Sequence, residues 1–181
     1  MNAIPRWLIV SAVAVFCVPA QPGAQSASDE YRLKAAFVYR FPQFVEWPAA
    51  AVQESRTLDL CVLQPNPFGS DLEELVTGES LGGRPLRVRV VNTIDALQGC
   101  HALFAGARSA ATAAALKTVA GRPVLTVGET DQFLDSGGII ALKIVDRRVR
   151  FEVNATNAQK AGLRINAQLL NLAAAVRGGS L

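Results

Sequence analysis

Histidine occurs once in these 181 residues, at His101, and cysteine three times. With one imidazole and so few thiols, a metal would have only carboxylates, so no metal site is expected. Asp131 and Asp135 could hold a hard cation weakly, but an exposed loop accounts for both without one. Cys100 and His101 are adjacent. On a strand such neighbours point to opposite faces, so they cannot serve each other as nucleophile and base. Also missing are C-x-x-C, G-x-x-x-x-G-K-[ST], G-x-G-x-x-G and G-x-S-x-G, and with them the usual routes to thiol exchange, nucleotide binding and a hydrolase elbow. Gly82-Gly83 and Gly137-Gly138 read as strand-entry turns. The sequence therefore predicts no catalytic residue, no cofactor and no enzyme.

Neither sign of charge is in excess: 18 basic residues stand against 15 acidic ones. That balance predicts neither a nucleic-acid binder nor a membrane-surface binder. The basic residues are scattered except for Arg84, Arg87 and Arg89 and the Arg147-Arg148-Val149-Arg150 turn, which read as solvated strand faces. Long apolar runs are scarce too. Trp7 to Val18 is one, but twelve residues fall short of the roughly 20 that span a bilayer. Preceded by Arg6 and followed by small residues, it has the layout of a secretory signal. Exit after Ala20 fits best, with Ser26 as the alternative. Phe16 is too bulky to precede a lipid-modified Cys17. A soluble periplasmic protein is expected.

Once residues 1–20 are removed, Cys61 and Cys100 remain. An even count in an exported chain favours one disulfide. It would tie the end of the first strand to the start of the third, across the basic strand between them.

The remainder reads as one domain, residues 29–177. From Tyr31, Leu33, Phe37, Phe41 and Phe44 recur at helical spacing, with Asp29 as N-cap and Pro42 ending or kinking the helix. Thr57–Leu63, Cys100–Gly106 and Pro123–Val127 are buried strands. Leu86, Val88 and Val90 alternate with arginines on a half-exposed strand. Ser70-Asp71-Leu72-Glu73 is a capping box, and Ser109 caps an alanine-rich helix. A hairpin follows Gly137-Gly138 and turns at Asp146–Arg148. A last helix places Ile165, Leu169, Leu172, Ala173 and Val176 on one face. The fold class is α/β: a single-domain sandwich, its mixed, mostly parallel sheet carrying helices on both faces and a C-terminal antiparallel hairpin.

Several segments in one order carry a resemblance. KAAFVYRFPQFVEWP, LDLCVLQPNPFG, GRPLRVR, GCHALFAG, PVLTVGETDQFLDSGGIIAL, RVRFEVN and AGLRINAQLLNLA run from Tyr31 to about Ala174, and together they resemble the YfiR-like family of bacterial periplasmic regulators. The resemblance implies a repressor that binds the periplasmic domain of an inner-membrane diguanylate cyclase and is relieved by an outer-membrane lipoprotein. It also implies a homodimer and a bridged pair matching Cys61 and Cys100. A second cysteine pair of the family's best-known member has no counterpart here. Phe41-Pro42-Gln43 replaces the usual F-A-K.

Phe37, Phe41 and Phe44 are expected in the core. Tyr39 lies off their stripe and Trp47 ends the helix, so these two, with Leu169 and Leu172 of the last helix, are the expected partner-binding residues. The partner would be a diguanylate cyclase or a sensor kinase of the membrane, and nucleic acid is not expected. The alternative is an exported small-molecule receptor with its pocket at the carboxyl ends of the parallel strands.

Overall fold

The computed structural model describes residues 22–53, 55–107 and 109–178. The expected leader, residues 1–20, lies outside them. The alternative exit after Ser26 falls inside the first helix, α1 (Pro22–Arg40), which starts upstream of Asp29 and runs through it rather than being capped there. Pro42 has no N–H to donate, and the α-helix stops just before it. The chain tightens into a 3₁₀ turn, Phe41–Phe44, with Pro42 in its opening positions. Then come β1 (Val45–Glu46), α2 (Ala49–Val52), β2 (Leu58–Leu63), α3 (Asp71–Val76), β3 (Ser80–Leu81), β4 (Arg84–Val91) and β5 (Ala102–Phe104). The second half holds α4 (Ala110–Val119), β6 (Leu125–Gly128), β7 (Ile140–Val145), β8 (Arg148–Asn154), α5 (Ala155–Lys160), β9 (Arg164–Ile165), α6 (Ala167–Leu172) and β10 (Ala175–Arg177).

Among the described residues the main sheet has eight strands in the order β10-β8-β7-β6-β5-β2-β4-β3. The run from β4 through β2, β5 and β6 to β7 is parallel; β3 pairs antiparallel with β4, and β8 pairs antiparallel with β7 and parallel with β10. A separate pair, β1 with β9, sets Val45 against Ile165. The expected mixed α/β sandwich is what forms.

Every residue of β2 is buried, as its unbroken apolar pattern requires. Leu58, Leu60 and Val62 enter a core with Phe41, Phe104, Phe151 and Leu72, while Cys61 and Leu63 enter a second core with Leu97, Leu103, Leu116 and Phe133. This period of two makes one strand serve both faces of the sheet. Ser109 caps α4 as expected, accepting from the Thr112 N–H at 3.1 Å.

Three sequence expectations are corrected. The Cys61–Cys100 disulfide forms, with Cα atoms 5.8 Å apart, but β2 and β5 are direct neighbours and the basic strand β4 lies on the far flank of β2. Ser70 makes no capping bond to the backbone; its hydroxyl donates to Glu74 Oε1 at 2.7 Å instead. The long last helix is three elements. Ile165 belongs to β9, only 167–172 is helical, and Val176 pairs in parallel with Val153 of β8. Asn166 caps α6 by accepting from Gln168 N–H, and past Leu172 the Ala174 N–H donates to Phe151 O, so the edge of β8 takes a stretch whose alanines favour helix.

Candidate functional site

An open apolar groove of about 400 Å³ runs between α1 and α6. Leu33, Ala36, Phe37 and Arg40 form one wall, positions that helical spacing brings to one side of α1. Phe151 of β8 supplies the floor, beside Phe41 and Phe44. Leu169 and Leu172 form the opposite wall. The rings interlock: Phe41 lies edge-on to Phe151 at 5.1 Å, and Phe37 is 5.8 Å from Phe41. At the mouth, apolar side chains stay in water. Leu33 is 49% exposed and Leu172 66%.

Of the residues expected to meet a partner, Leu169 and Leu172 both line this groove, the first buried and the second exposed. Tyr39 and Trp47 do not line it. Tyr39 is buried, and its hydroxyl donates to Glu79 Oε2 at 2.9 Å. Burial first, and then that bond to a carboxylate, hold its pKa above the ordinary phenol value. Trp47 is half-buried, its indole N–H donating to Pro123 O at 3.1 Å. Neither stands on a free edge: each has a polar tip satisfied by a segment distant in sequence. Phe37 and Phe44, expected in the core, are only partly covered. Sequence reading missed Leu33, although its place one turn before Phe37 was the available signal.

The carboxyl ends of β2, β5 and β6 are where a small-molecule pocket was expected. On the α1 side of that edge, side chains fill the space. Phe68 stacks edge-on against Phe104 at 4.6 Å, with Tyr31 of α1 beyond it at 6.1 Å. Beside them Lys34, only 4% exposed, donates to Glu129 and pairs with Glu30. Tyr31 also donates to Glu129, at 3.0 Å. Burial works against the Lys34 ammonium, but the bonds to both carboxylates outweigh it and raise the pKa.

The family model described as YfiR/HmsC-like matches residues 31–174. The chain belongs to the YfiR/HmsC-like family. The family is one of periplasmic regulatory proteins of the diguanylate cyclase system. Among the described residues, no helix is long and apolar enough to cross a membrane. Two solved structures are also similar to this YfiR/HmsC-like chain. One is a conserved domain protein from Vibrio cholerae O1 biovar El Tor, at 11% identity over 81% of this chain and 60% of that one, with a TM-score of 0.47. The other is an ABC domain in complex with L-Trp from Streptococcus pneumoniae, at 11% identity over the same shares and a TM-score of 0.48. The chain spans 60% of the length of each.

His101 is bonded through both ring nitrogens. Its Nδ1 accepts the backbone N–H of Asp59 at 3.1 Å, and a backbone N–H can only donate. The neutral ring therefore carries its proton on Nε2, which meets Ser55 Oγ at 3.1 Å and donates to it. In this arrangement the imidazole has no lone pair facing the hydroxyl and does not activate it as a base. Asp59, 3% exposed, is held by Arg87 at 2.7 and 3.0 Å, Arg89 at 3.2 Å and Thr57 at 2.8 Å. Burial pushes its carboxyl up, but these donors together bring it below the usual carboxylate range. Arg87 and Arg89 are thus bound to a buried acid rather than merely solvated, as the alternation of β4 had suggested.

Proposed function

We propose that this YfiR/HmsC-like protein represses a membrane diguanylate cyclase, or a similar sensor kinase, by contact with its periplasmic domain, lowering cyclic di-GMP synthesis without binding the nucleotide. The observation that carries this reading is the α1–α6 groove, an apolar recess with Leu33 and Leu172 left in water at its mouth, in a chain whose family consists of periplasmic regulators. Exposed apolar surface gathered in a concave site is what a partner's side chains fill. In this reading Leu172 and Leu169 make the contact. Tyr39 and Trp47 act from behind, fixing the course of the chain on either side of the 3₁₀ turn. Release by an outer-membrane lipoprotein and action as a homodimer, both implied by the family resemblance, belong to the same proposal.

The test is genetic. Deleting the gene is expected to raise cyclic di-GMP and biofilm, and supplying the wild-type gene to restore them. Unchanged cyclic di-GMP in the deletion strain, with the host's cyclases intact, would overturn the reading.

A further inference from the structure

The β7–β8 hairpin outruns its sheet. β6 pairs with β7 only at Ile140 and Ala141, and β10 pairs with β8 only at residues 152–154. From Leu142 to Val145 and from Arg148 to Phe151 the two arms have each other alone as strand partners. Four residues per arm make a ribbon roughly 13 Å long. Two-stranded ribbons are marginal by themselves, but this one is pinned at its base. Leu142, Val149 and Phe151 are buried, and Asp146 and Arg147 both take positive φ, as a tight two-residue hairpin turn requires.

The far end carries an unusual mixture. Ile144 is 45% exposed and Val145 48%, so two consecutive aliphatic side chains stand in water. Val145 shares its face with Arg148 and Arg150, Ile144 lies on the opposite face beside Val149, and Asp146 and Arg147 form the turn. The three arginines are all exposed, and none enters an ion pair among the described residues. Lys143 is already engaged by Asp131 at 2.8 Å. Charged residues on an open strand edge can serve simply to prevent edge-to-edge pairing. That purpose accounts for Arg148 and Arg150 but is ill served by the bare Ile144 and Val145 beside them. Aliphatic side chains on both faces of a projecting tip, with three unpaired arginines close by, fit a surface with negative charge outside and hydrocarbon within when the tip enters end-on.

We propose that the tip of the β7–β8 hairpin docks on an anionic lipid bilayer, with Ile144 and Val145 entering the headgroup region and Arg147, Arg148 and Arg150 meeting lipid phosphates. Net charge hides this, because it averages over the whole chain, while three of its 18 basic residues gather at one end of one ribbon. Each arginine near such a surface is worth about fivefold in partitioning, so three together give on the order of 100-fold. The contact is weak and reversible, suited to holding a protein near membrane-bound partners rather than anchoring it.

The test is sedimentation of the intact protein with protein-free vesicles. Binding to vesicles rich in phosphatidylglycerol is expected, with little to pure phosphatidylcholine, and it should weaken as salt is raised. The triple variant R147Q/R148Q/R150Q should lose about 100-fold in partitioning while melting at the wild-type temperature, and V145D should weaken binding at every salt concentration. Equal sedimentation with both lipids, or no difference between wild type and the triple variant, would overturn the proposal. Because the vesicles hold no cyclase, such a failure leaves the regulatory reading untouched.

Discussion

The two faces of the sheet are finished differently. On the α4 face, Cys61, Leu97, Leu103, Leu116 and Phe133 fill the space under the helix, and the disulfide ties two adjacent strands within that core. On the α1 face, Phe41, Phe104 and Phe151 are just as deeply buried, yet Phe37 and Phe44 are partly open and Leu33 and Leu172 stand in water. α1 is fastened there by a buried ion group at one end and by Tyr39 and its Glu79 bond near the other. One face is closed and carries stability. The other is left incomplete along a groove, and incompleteness of that kind is what recognition uses.

Removing the staple should have the largest effect. Cys61 and Cys100 are 39 residues apart, and the chain entropy released by opening such a loop corresponds to about 4 kcal/mol. C61A/C100A is expected to unfold at a much lower denaturant concentration. If the face it stabilises takes no part in recognition, the fraction that remains folded should still repress.

The buried ion group comes next. Lys34→Met would leave Glu129 and Glu30 without their cation in a largely closed site, a change expected to cost about 3 kcal/mol. The loss should be local as well as global. Amide exchange in the first half of α1 is expected to rise more than in β2 or β5, measured by mass spectrometry of the exchanged protein. Uniform loss of protection would mean that α1 is not separately fastened.

Acid should distinguish the faces again, through His101. Burial holds its pKa below the ordinary value of about 6.5, and Nδ1 has no room for a proton while it accepts the Asp59 N–H. The unfolded chain takes up a proton at that position below about pH 6.5 and the folded one resists, so stability is full above that pH and falls as pH drops toward the lower folded value. Asp59, held below the usual carboxylate range, adds a further loss below about pH 3.9. Melting temperature followed against pH is expected to decline through the first window in wild type and to flatten there in His101→Gln.

Much of this architecture is legible in the sequence, and the misreadings share a cause. The buried strands, the tight hairpin turn, the Pro42 break and the cysteine pair are all encoded within a few residues or by simple counting. Arg87 and Arg89 looked solvated because their acid, Asp59, lies 28 and 30 residues earlier in chain order. Tyr39 and Trp47 looked free to meet a partner because Glu79 and Pro123, which satisfy them, are 40 and 76 residues away. The stretch Ala173–Val176 favours helix locally, and only the edge of β8 makes part of it a strand. The groove was half legible: Leu169 and Leu172 were singled out, while Leu33 was not.

The smallest expected change in stability belongs to the open face, and it is the sharpest test of the comparison. Leu172 is the most exposed of the large apolar side chains at the groove, so Leu172→Asp removes little packing and should shift stability by no more than about 0.5 kcal/mol. The same substitution puts a charge at the mouth of an apolar recess, where a partner's side chain would have to desolvate it. Repression is therefore expected to fail while the melting curve stays put, read as raised cyclic di-GMP in a strain carrying only the variant. Leu33→Asp on the facing wall should do the same. An exposed Val90→Asp on β4, away from the groove, should change neither. If all three variants repress like wild type, the groove is surface without a task, and the partner contact has to be sought on another part of the molecule.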